Sequence, residues 1–307
     1  MRAVDIPDMS KLWAIGRGFI LTAAVVLFFT NSLGYLESVG DSSVKVLSQG
    51  YHLDFDHVLD GPRLNARAAL LVNYENGEVL YSRNADEVRS IASISKLVTA
   101  MVVLDKGINL ERTEKITPED AQHSSRSRLR VGSELALRDL LYATLASSDN
   151  RAARALTRAV SGTPERFTDE MNAKVRELGL TRTHFCEPTG LDSGNVSTAR
   201  EVAKLIHYAY DYELIAEFTA QKEHRTRFLN RREYARMLPN TNRLLWSRYG
   251  VLAGKTGYIQ ASDYCLTSIV TNDKGERLTL VLLGVPGDRL RFKEARRLID
   301  WGYRQVS

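Results

Sequence analysis

The chain has 307 residues, of which 44% are hydrophobic and 26% are charged, so it is long enough for one large domain or two modest ones with a buried core. Its 42 Lys and Arg exceed its 37 Asp and Glu and give a net charge of +5. The basic residues are scattered rather than grouped into one block, which is typical of a solvated surface. We therefore predict no nucleic-acid partner.

The cysteines and histidines argue against a disulfide scaffold and a metal site. Only two cysteines are present, Cys186 and Cys265, too few for a disulfide framework. One bridge and two free thiols both remain open. The six His residues form no H-E-x-x-H and no other metal-ligand spacing, so we predict neither a metal ion nor another cofactor.

The N-terminus has the layout of a secretory signal. Arg2, Lys11 and Arg17 precede an uncharged apolar run at residues 18–30. We predict that residues 1–34 are a signal peptide or membrane anchor and that the protein is periplasmic. Cleavage is favoured, but residues 18–36 approach the roughly 20 residues that a membrane span needs, so a retained membrane tether stays open.

The first predicted elements after the leader form a β-hairpin. Residues 35–62 lack periodicity and read as a linker, so the folded domain is predicted to span residues 63–307 and to begin near Leu64. Strand-like runs at residues 68–74 and 78–82 are joined by Asn76-Gly77, a strong hairpin signal because both residues tolerate positive φ.

The middle of the chain is predicted to be helical. The predicted helices lie at residues 93–105, 135–145, 151–160 and 198–210. The first is apolar on nearly every side, which indicates burial in a core. A polar break at residues 147–150 separates the second from the third. Thr198 and Glu201 have the spacing of a capping box at the start of the fourth.

The last part of the chain returns to strands. Residues 264–271 and 277–285 are predicted strands joined by a turn at residues 272–275, and a helix follows from Asp288 to about Tyr303. Strands from the two chain ends satisfy their edges by joining one antiparallel sheet. The predicted fold class is therefore α+β, with helices packed on the faces of that sheet.

Three short motifs occur in order along the chain: Ser93-Ile94-Ser95-Lys96, Ser148-Asp149-Asn150 and Lys255-Thr256-Gly257. The first two spacings also arise by chance, since Ser42 begins a second S-x-x-K and Ser193 a second S-x-N. The sequence context distinguishes the first motif from the chance match, because Ser42 lies in the predicted linker while Ser93 begins a predicted buried helix. Ser93 is the predicted nucleophile rather than a helix cap.

Lys96 is the predicted base that activates Ser93. The two residues are one helical turn apart and face the same side. A serine hydroxyl needs a base to take its proton, and no His follows at a useful spacing. Desolvation in the apolar helix, with Lys255 as a second cation, would lower the pKa of Lys96.

The other two motifs complete the predicted site. Ser148 could pass a proton to the leaving amine and Asn150 could orient Lys96, although Ser148 and Asp149 could instead only cap the next helix. Lys255 and Thr256 are predicted to hold a substrate carboxylate. Gly257 would let a substrate backbone approach, and the backbone N–H groups of Ser93 and Tyr258 would form an oxyanion hole.

The ordered motifs resemble those of the penicillin-binding-protein and serine β-lactamase superfamily. More narrowly, residues 64–307 are similar to the low-molecular-mass D-alanyl-D-alanine carboxypeptidase/endopeptidase family through "IASISKLVTAMVVLD", "SSDNRAA", "MNAKVRELGL", "EPTGLDSGNVSTAR" and "AGKTGY". The resemblance implies a β-lactamase/transpeptidase-like fold, peptidoglycan peptides as substrates and β-lactam antibiotics as covalent inhibitors. It implies that Ser93 is acylated, Lys96 accepts its proton, Ser148 is the third catalytic residue and Lys255 binds substrate.

Within this family the endopeptidase branch is favoured, because the chain ends at Ser307, soon after the last predicted helix; a D-alanyl-D-alanine carboxypeptidase stays open. Ile259 and Asp263 stand where relatives often carry Thr and Gly, which affects only the detail of substrate choice.

A class A β-lactamase is disfavoured, since four residues after Glu187 stands Leu191 rather than Asn, and Glu187 is predicted to be structural. A non-catalytic penicillin-sensing or wall-binding module is a further alternative. The Arg-rich segment 225–236 is interpreted as a solvated loop, with docking to anionic wall polymers as the alternative.

Overall fold

Strands from the two ends of the folded chain form one antiparallel sheet in the computed structural model, which describes residues 61–122, 127–230 and 235–306. The described strands are, in chain order, β1 (Ala68–Asn73), β2 (Val79–Arg83), β3 (Arg89–Ser90), β4 (Thr113–Lys115), β5 (Glu134–Ala136), β6 (Val196–Ser197), β7 (Glu223–Arg227), β8 (Ala235–Pro239), β9 (Gly250–Ile259), β10 (Asp263–Thr271) and β11 (Arg277–Val285). The main sheet has the order β2-β1-β11-β10-β9, with antiparallel neighbours throughout. The predicted α+β class and the sheet built from both chain ends are confirmed.

Helices cover both faces of this sheet. The described α-helices are α1 (Lys96–Asp105), α2 (Leu137–Leu145), α3 (Asn150–Ser161), α4 (Pro164–Glu177), α5 (Ala199–Tyr210), α6 (Glu213–Ala220) and α7 (Asp288–Val306). Successive residues of β1 point to opposite faces, as the two-residue period of a strand requires. Leu70 therefore packs in the core with α1 to α6, and Leu71 packs in the core under α7. Both leucines are fully buried, so the sheet is the middle of three layers.

Helix α1 is buried on all sides, as the sequence predicts. Its residues from Lys96 to Val103 are all buried. The helix begins later than predicted, because residues Ala92–Ser95 form a tight 3₁₀ turn and the α-helical bonds start only at Lys96. Ser93 therefore lies in the turn that leads into the helix.

Two local predictions, the β1–β2 hairpin and the capping box at Thr198, are only partly right. The hairpin between β1 and β2 is longer than a two-residue turn, because Tyr74 leaves the strand to pack against the His207 ring, with 4.6 Å between ring centroids. In the predicted capping box, the Thr198 hydroxyl accepts from Glu201 N at 3.1 Å. The Glu201 carboxylate does not complete the box and instead accepts from Arg182 N and the Thr183 hydroxyl.

The described ends of the Arg-rich segment are strands rather than loop. Its ends form β7 and β8, which pair from Glu223↔Pro239 to Arg227↔Ala235. Arg225 and Arg227 point outward and are exposed. The interpretation as a loop is therefore wrong for these flanks, although the exposure of the two arginines agrees with a solvated face.

The two cysteines do not pair: Cys186 is an exposed free thiol and Cys265 a buried one. The predicted leader at residues 1–34 lies outside the described residues, as does nearly all of the linker at 35–62. The boundary at residue 63 stays a prediction. Within the described ranges, no helix is both long enough and apolar enough to cross a membrane.

Candidate active site

Ser93 lies in a strained turn at the entrance of the buried helix α1. The residue before it, Ala92, has φ 47°, a conformation that costs a residue with a side chain about 1–2 kcal/mol. The Ser93 side chain is buried, with 8% exposure, yet it lines a cleft of about 640 Å³. The turn therefore presents the Ser93 hydroxyl to this cleft.

Lys96 is the first residue of α1 and is fully buried beside Ser93. Its Nζ lies 2.9 Å from Ser93 Oγ and 2.6 Å from Asn150 Oδ1, and it also donates to the carbonyl oxygen of Thr189. Three oxygen partners fix the amine against the hydroxyl, so little reorganisation is needed for a proton to pass between them.

Burial lowers the pKa of Lys96 to about 8, because an ammonium group loses its hydration inside the protein. The carboxylates of Glu187 and Asp149 oppose the shift, and the charge of Arg154 adds to it. Burial also lowers the pKa of Lys255 well below its usual value, with the charges of Lys96 and Arg291 adding to the effect. Desolvation is the largest cause at Lys96, as predicted, and Arg154 adds to it, while repulsion between Lys96 and Lys255 disfavours charging both amines at once.

The second motif combines a cap with a proton-bearing group. Asp149 is the N-cap of α3 and accepts from Arg151 N at 2.9 Å and Ala152 N at 3.1 Å. Ser148 does not cap the helix. It has φ 56°, and its hydroxyl accepts from Lys255 Nζ at 2.8 Å. The alternative that Ser148 and Asp149 only cap the helix therefore holds for Asp149 and not for Ser148.

The third motif lies on β9 at the edge of the main sheet, as its strand-like sequence predicts. Lys255 and Thr256 are both buried. Thr256 Oγ1 lies 2.6 Å from the Thr241 hydroxyl, and both residues line the cleft. Lys255 itself donates to Ser148, and Ser148 also lines the cleft.

Gly257 is required by the nucleophile turn itself. A Cβ added at this position would lie 2.8 Å from the carbonyl oxygen of Ile91 and 3.2 Å from Ser93 N, closer than packed atoms tolerate. The close backbone approach predicted for Gly257 is therefore made by residues 91–93 of the same chain. The absence of a side chain brings β9 against the backbone of Ser93.

A loop that sequence reasoning did not place at the site holds the amine of Lys96. The Thr189 carbonyl accepts from Lys96 Nζ and from Ser93 Oγ at 3.3 Å. The Glu187 carboxylate organises this loop by accepting from Thr189 N and Leu191 N, each at 2.8 Å, and from Gly190 N at 2.5 Å. Glu187 does not line the Ser93 cleft, which agrees with the predicted structural role.

The far end of the cleft is basic and aromatic. Arg291 of α7 is buried, and its guanidinium donates to the carbonyl oxygens of Gly257 at 3.1 Å and Cys265 at 2.9 Å. Tyr258 is 48% exposed and stacks on Tyr264, with 4.2 Å between ring centroids. Asp263 begins β10 at φ 53°, a conformation that glycine adopts without strain. Within the described ranges, no group of three His, Cys, Asp or Glu residues could hold a metal ion.

The fold and the cleft together define a class of protein. A serine in the turn before a helix, the buried lysine that begins that helix, a Ser-Asp-Asn loop and a Lys-Thr-Gly strand converge on one cleft of an α+β domain, as in the serine hydrolases that react with penicillin.

Comparison with known proteins agrees with this class. The family described as D-alanyl-D-alanine carboxypeptidase matches residues 57–287. A D-alanyl-D-alanine endopeptidase of Escherichia coli is 38% identical over 78% of each chain, and one of Pseudomonas aeruginosa is 37% identical over 78% of this chain and 77% of its own. The solved structure of a Streptomyces DD-transpeptidase covers 80% of this chain and all of its own, with a TM-score of 0.75 and 27% identity. The chain belongs to the D-alanyl-D-alanine carboxypeptidase family and is a serine D,D-peptidase.

Proposed function

We propose that this chain is a penicillin-sensitive D,D-endopeptidase that cleaves the peptide cross-links of peptidoglycan. The observation that carries the choice of branch is that the relatives with 38% and 37% identity are named endopeptidases, whereas a carboxypeptidase of Escherichia coli is 35% identical over 64% of its own length. A carboxypeptidase acting on terminal D-Ala is the second candidate, since the family carries that description.

The proposed first step is acylation of Ser93. Neutral Lys96 takes the hydroxyl proton across the 2.9 Å contact while Oγ attacks the carbonyl carbon of the D-Ala residue. The oxygen of that carbonyl becomes negative and is stabilised by the backbone N–H groups of Ser93 and Tyr258. The close approach of Gly257 to the Ser93 backbone supports this placement.

The tetrahedral intermediate then collapses with loss of the amine. The C–N bond breaks, and the amine leaves with a proton that Ser148 relays from Lys96. Lys255 Nζ holds the Ser148 hydroxyl at 2.8 Å, and Asn150 keeps Lys96 in place. Lys255 and Thr256 bind the carboxylate next to the scissile bond through charge-assisted hydrogen bonds. Lys96, neutral again after the relay, takes a proton from a water molecule that attacks the ester, and Ser93 Oγ leaves with that proton as the peptide carboxylic acid is released.

The geometry of Glu187 argues against a fast β-lactamase. Its two oxygens already accept from the loop backbone and the Thr189 hydroxyl, so neither is directed at water in the Ser93 cleft. Without Glu187 as an additional base for that water, the penicilloyl ester should persist.

The test is intact mass of the full chain after brief exposure to benzylpenicillin, followed by digestion of cross-linked muropeptide dimers. We expect a stable adduct and conversion of dimers to monomers. Ser93→Ala should lose both, whereas Ser95→Ala in the same turn should keep both, because the Ser95 hydroxyl only bonds the Ala92 carbonyl at 2.9 Å. An adduct with release of terminal D-Ala alone would identify a carboxypeptidase. No adduct and no cleavage would leave a non-catalytic module.

Acylation should depend on pH through Lys96. Below a pH of about 8 the amine is increasingly protonated and cannot accept the Ser93 proton, so the rate should rise with pH and level off above about 8. Arg154→Gln removes a charge that lowers the pKa of Lys96 and should move the rising limb to higher pH. The measurement is the second-order rate of benzylpenicillin acylation. A flat profile through this range would rule out titration of Lys96 as the controlling event.

We also propose a periplasmic location, supported by the charged and apolar N-terminal sequence. Whether residues 18–36 are cleaved or remain as a membrane tether is decided by the N-terminal sequence of the protein recovered from its natural cell. Peptidoglycan lies in the same compartment, which fits the proposed substrate.

A further inference from the structure

A second groove opens beside the catalytic cleft. It has a volume of about 470 Å³ and is bordered by Arg243, Trp246, Arg248, Tyr249, Arg296 and Asp300. The first two residues belong to the 3₁₀ turn Arg243–Trp246, and the last two belong to α7. Arg243 lines the catalytic cleft as well. The groove therefore adjoins the site, and Arg243, which pairs with Asp288 at 2.9 Å, borders both.

The groove carries an excess of positive charge. Three arginines line it against one carboxylate, Asp300. Arg248 pairs with Asp300 at 2.5 Å but is 73% exposed, and Arg296 is exposed with no ion pair to any described residue. Exposed guanidinium groups of this kind bind carboxylates in a bidentate manner.

Positive charge extends from the groove along α7. Arg289, Lys293 and Arg296 are exposed and follow one another at intervals of four and three residues, so they lie on one face of the helix. Trp246 stands at the opposite side with 54% of its surface exposed. An exposed indole beside several arginines is typical of a recognition surface, because both residue types are enriched where partners bind.

The groove lies on the side of the cleft where the leaving group departs. In the mechanism above, Lys255 and Thr256 hold the carboxylate next to the scissile bond, and Thr256 Oγ1 lies 2.6 Å from the hydroxyl of Thr241, two residues before Arg243 in the chain. The leaving group of a carboxypeptidase is a single D-Ala, which ends at that carboxylate. The leaving group of a cross-link is a whole stem peptide, which continues further and carries additional carboxylates.

We propose that this groove is a subsite for the leaving stem peptide of a cross-link, with Arg248 and Arg296 binding its carboxylates and Trp246 covering its apolar part. The proposal rests on the endopeptidase function proposed above and deepens it, because occupation of the groove selects cross-links over free peptide ends. An anionic membrane would also attract arginines and a tryptophan. The border that the groove shares with the cleft at Arg243 favours the substrate instead.

Binding is tested without catalysis in the Ser93→Ala protein. The probe is a purified disaccharide-tetrapeptide dimer, and its affinity is measured by calorimetry. Adding Arg248→Ser and Arg296→Ser should weaken dimer binding about tenfold, since two charge-assisted contacts are lost, and Trp246→Ala should also weaken it. The control is the double variant Arg166→Ser, Arg176→Ser on α4. It removes the same charge from exposed positions that line neither cavity, and it should leave the affinity for the dimer unchanged.

Kinetics on the active protein provide a second readout. The groove variants should raise KM for dimers about tenfold, with kcat little changed. Hydrolysis of diacetyl-L-Lys-D-Ala-D-Ala and acylation by benzylpenicillin should stay within about twofold, because neither reagent extends past the leaving carboxylate.

Unchanged dimer affinity in the groove variants would overturn the subsite, whether or not the enzyme cleaves dimers. An equal loss on dimers, the small peptide and benzylpenicillin would also overturn it, since the variants would then act through the fold. Loss of sedimentation with phosphatidylglycerol vesicles, with dimer binding intact, would assign the surface to a membrane. If the wild-type chain releases only terminal D-Ala while the groove variants still bind dimers about tenfold more weakly, the groove is supported as a site for a cross-linked peptide and the endopeptidase function is rejected.

Discussion

Replacing Lys96 with Gln should slow acylation by benzylpenicillin by about 10²- to 10⁴-fold, the range expected when a general base is lost. The substituted amide would be neutral and could keep a hydrogen bond with Asn150, but it could not take the Ser93 proton. The lysine is fully buried and 2.9 Å from Ser93 Oγ, so water has little room to replace it. Stopped-flow or mass-resolved acylation rates provide the measurement.

The matched control is Lys106→Gln at the exposed end of the same helix. Lys106 donates to Glu170 at 2.7 Å, a surface pair worth about 0–1 kcal/mol, and its loss should not change the acylation rate. If Lys96→Gln is acylated within a few-fold of the unmodified protein while remaining folded, Lys96 is not the base and the mechanism needs another proton acceptor.

Gly190→Ala should destabilise the protein severely and abolish acylation. Gly190 has φ 80°, and an added Cβ would lie 2.2 Å from the carbonyl oxygen of Ala92 and 2.6 Å from Ser95 Oγ. The strain of positive φ costs about 1–2 kcal/mol, and forcing the loop away from the nucleophile turn adds about 1–3 kcal/mol. We expect a loss of about 2–5 kcal/mol in the free energy of unfolding, measured by urea denaturation.

Gly162→Ala separates the backbone strain from the clash. Gly162 follows α3 at φ 83°, and an added Cβ would meet no atom within 4 Å, so only the cost of about 1–2 kcal/mol applies. Acylation should be unaffected because the position is remote from the cleft lining. If the two substitutions destabilised the protein equally, the loop at Gly190 would move at little cost in free energy and would not fix the position of Thr189.

The fold was predictable where the sequence pattern is strong and local. Strand β11 spans the predicted residues 277–285, and α7 begins at the predicted Asp288, because long apolar periodicity and turn residues bound both elements. Short elements were less predictable. Strand β5 precedes α2 only because Glu134–Ala136 pairs with Thr113–Lys115, a contact that no local pattern announces.

The candidate site was likewise predictable only where side chains, rather than the backbone or long-range packing, carry the chemistry. The three motifs converge, as side-chain chemistry predicts, because Ser, Lys and Asn have few other reasons to occupy a buried cleft. Thr189 could not be found in this way, since it contributes a main-chain carbonyl that every residue possesses. Arg291 was also missed, because its approach to Gly257 depends on how α7 crosses the sheet. For these two missed residues, the only signal in the sequence was the run of turn residues around Glu187, which indicates the loop that contains Thr189.

The pairing of the first and last strands has a consequence for the order of folding. Strand β1 lies between β2 and β11, with Ala68 opposite Leu283, so the central hydrogen-bond ladder joins parts of the chain made at the start and the end of synthesis. Such distant pairing is slow to form. The first strand waits, incompletely paired, until β11 has been synthesised, and β9 with its Lys-Thr-Gly segment cannot dock beforehand. A chain that stops before β11 therefore lacks the strand that joins β1 to β10 and β9.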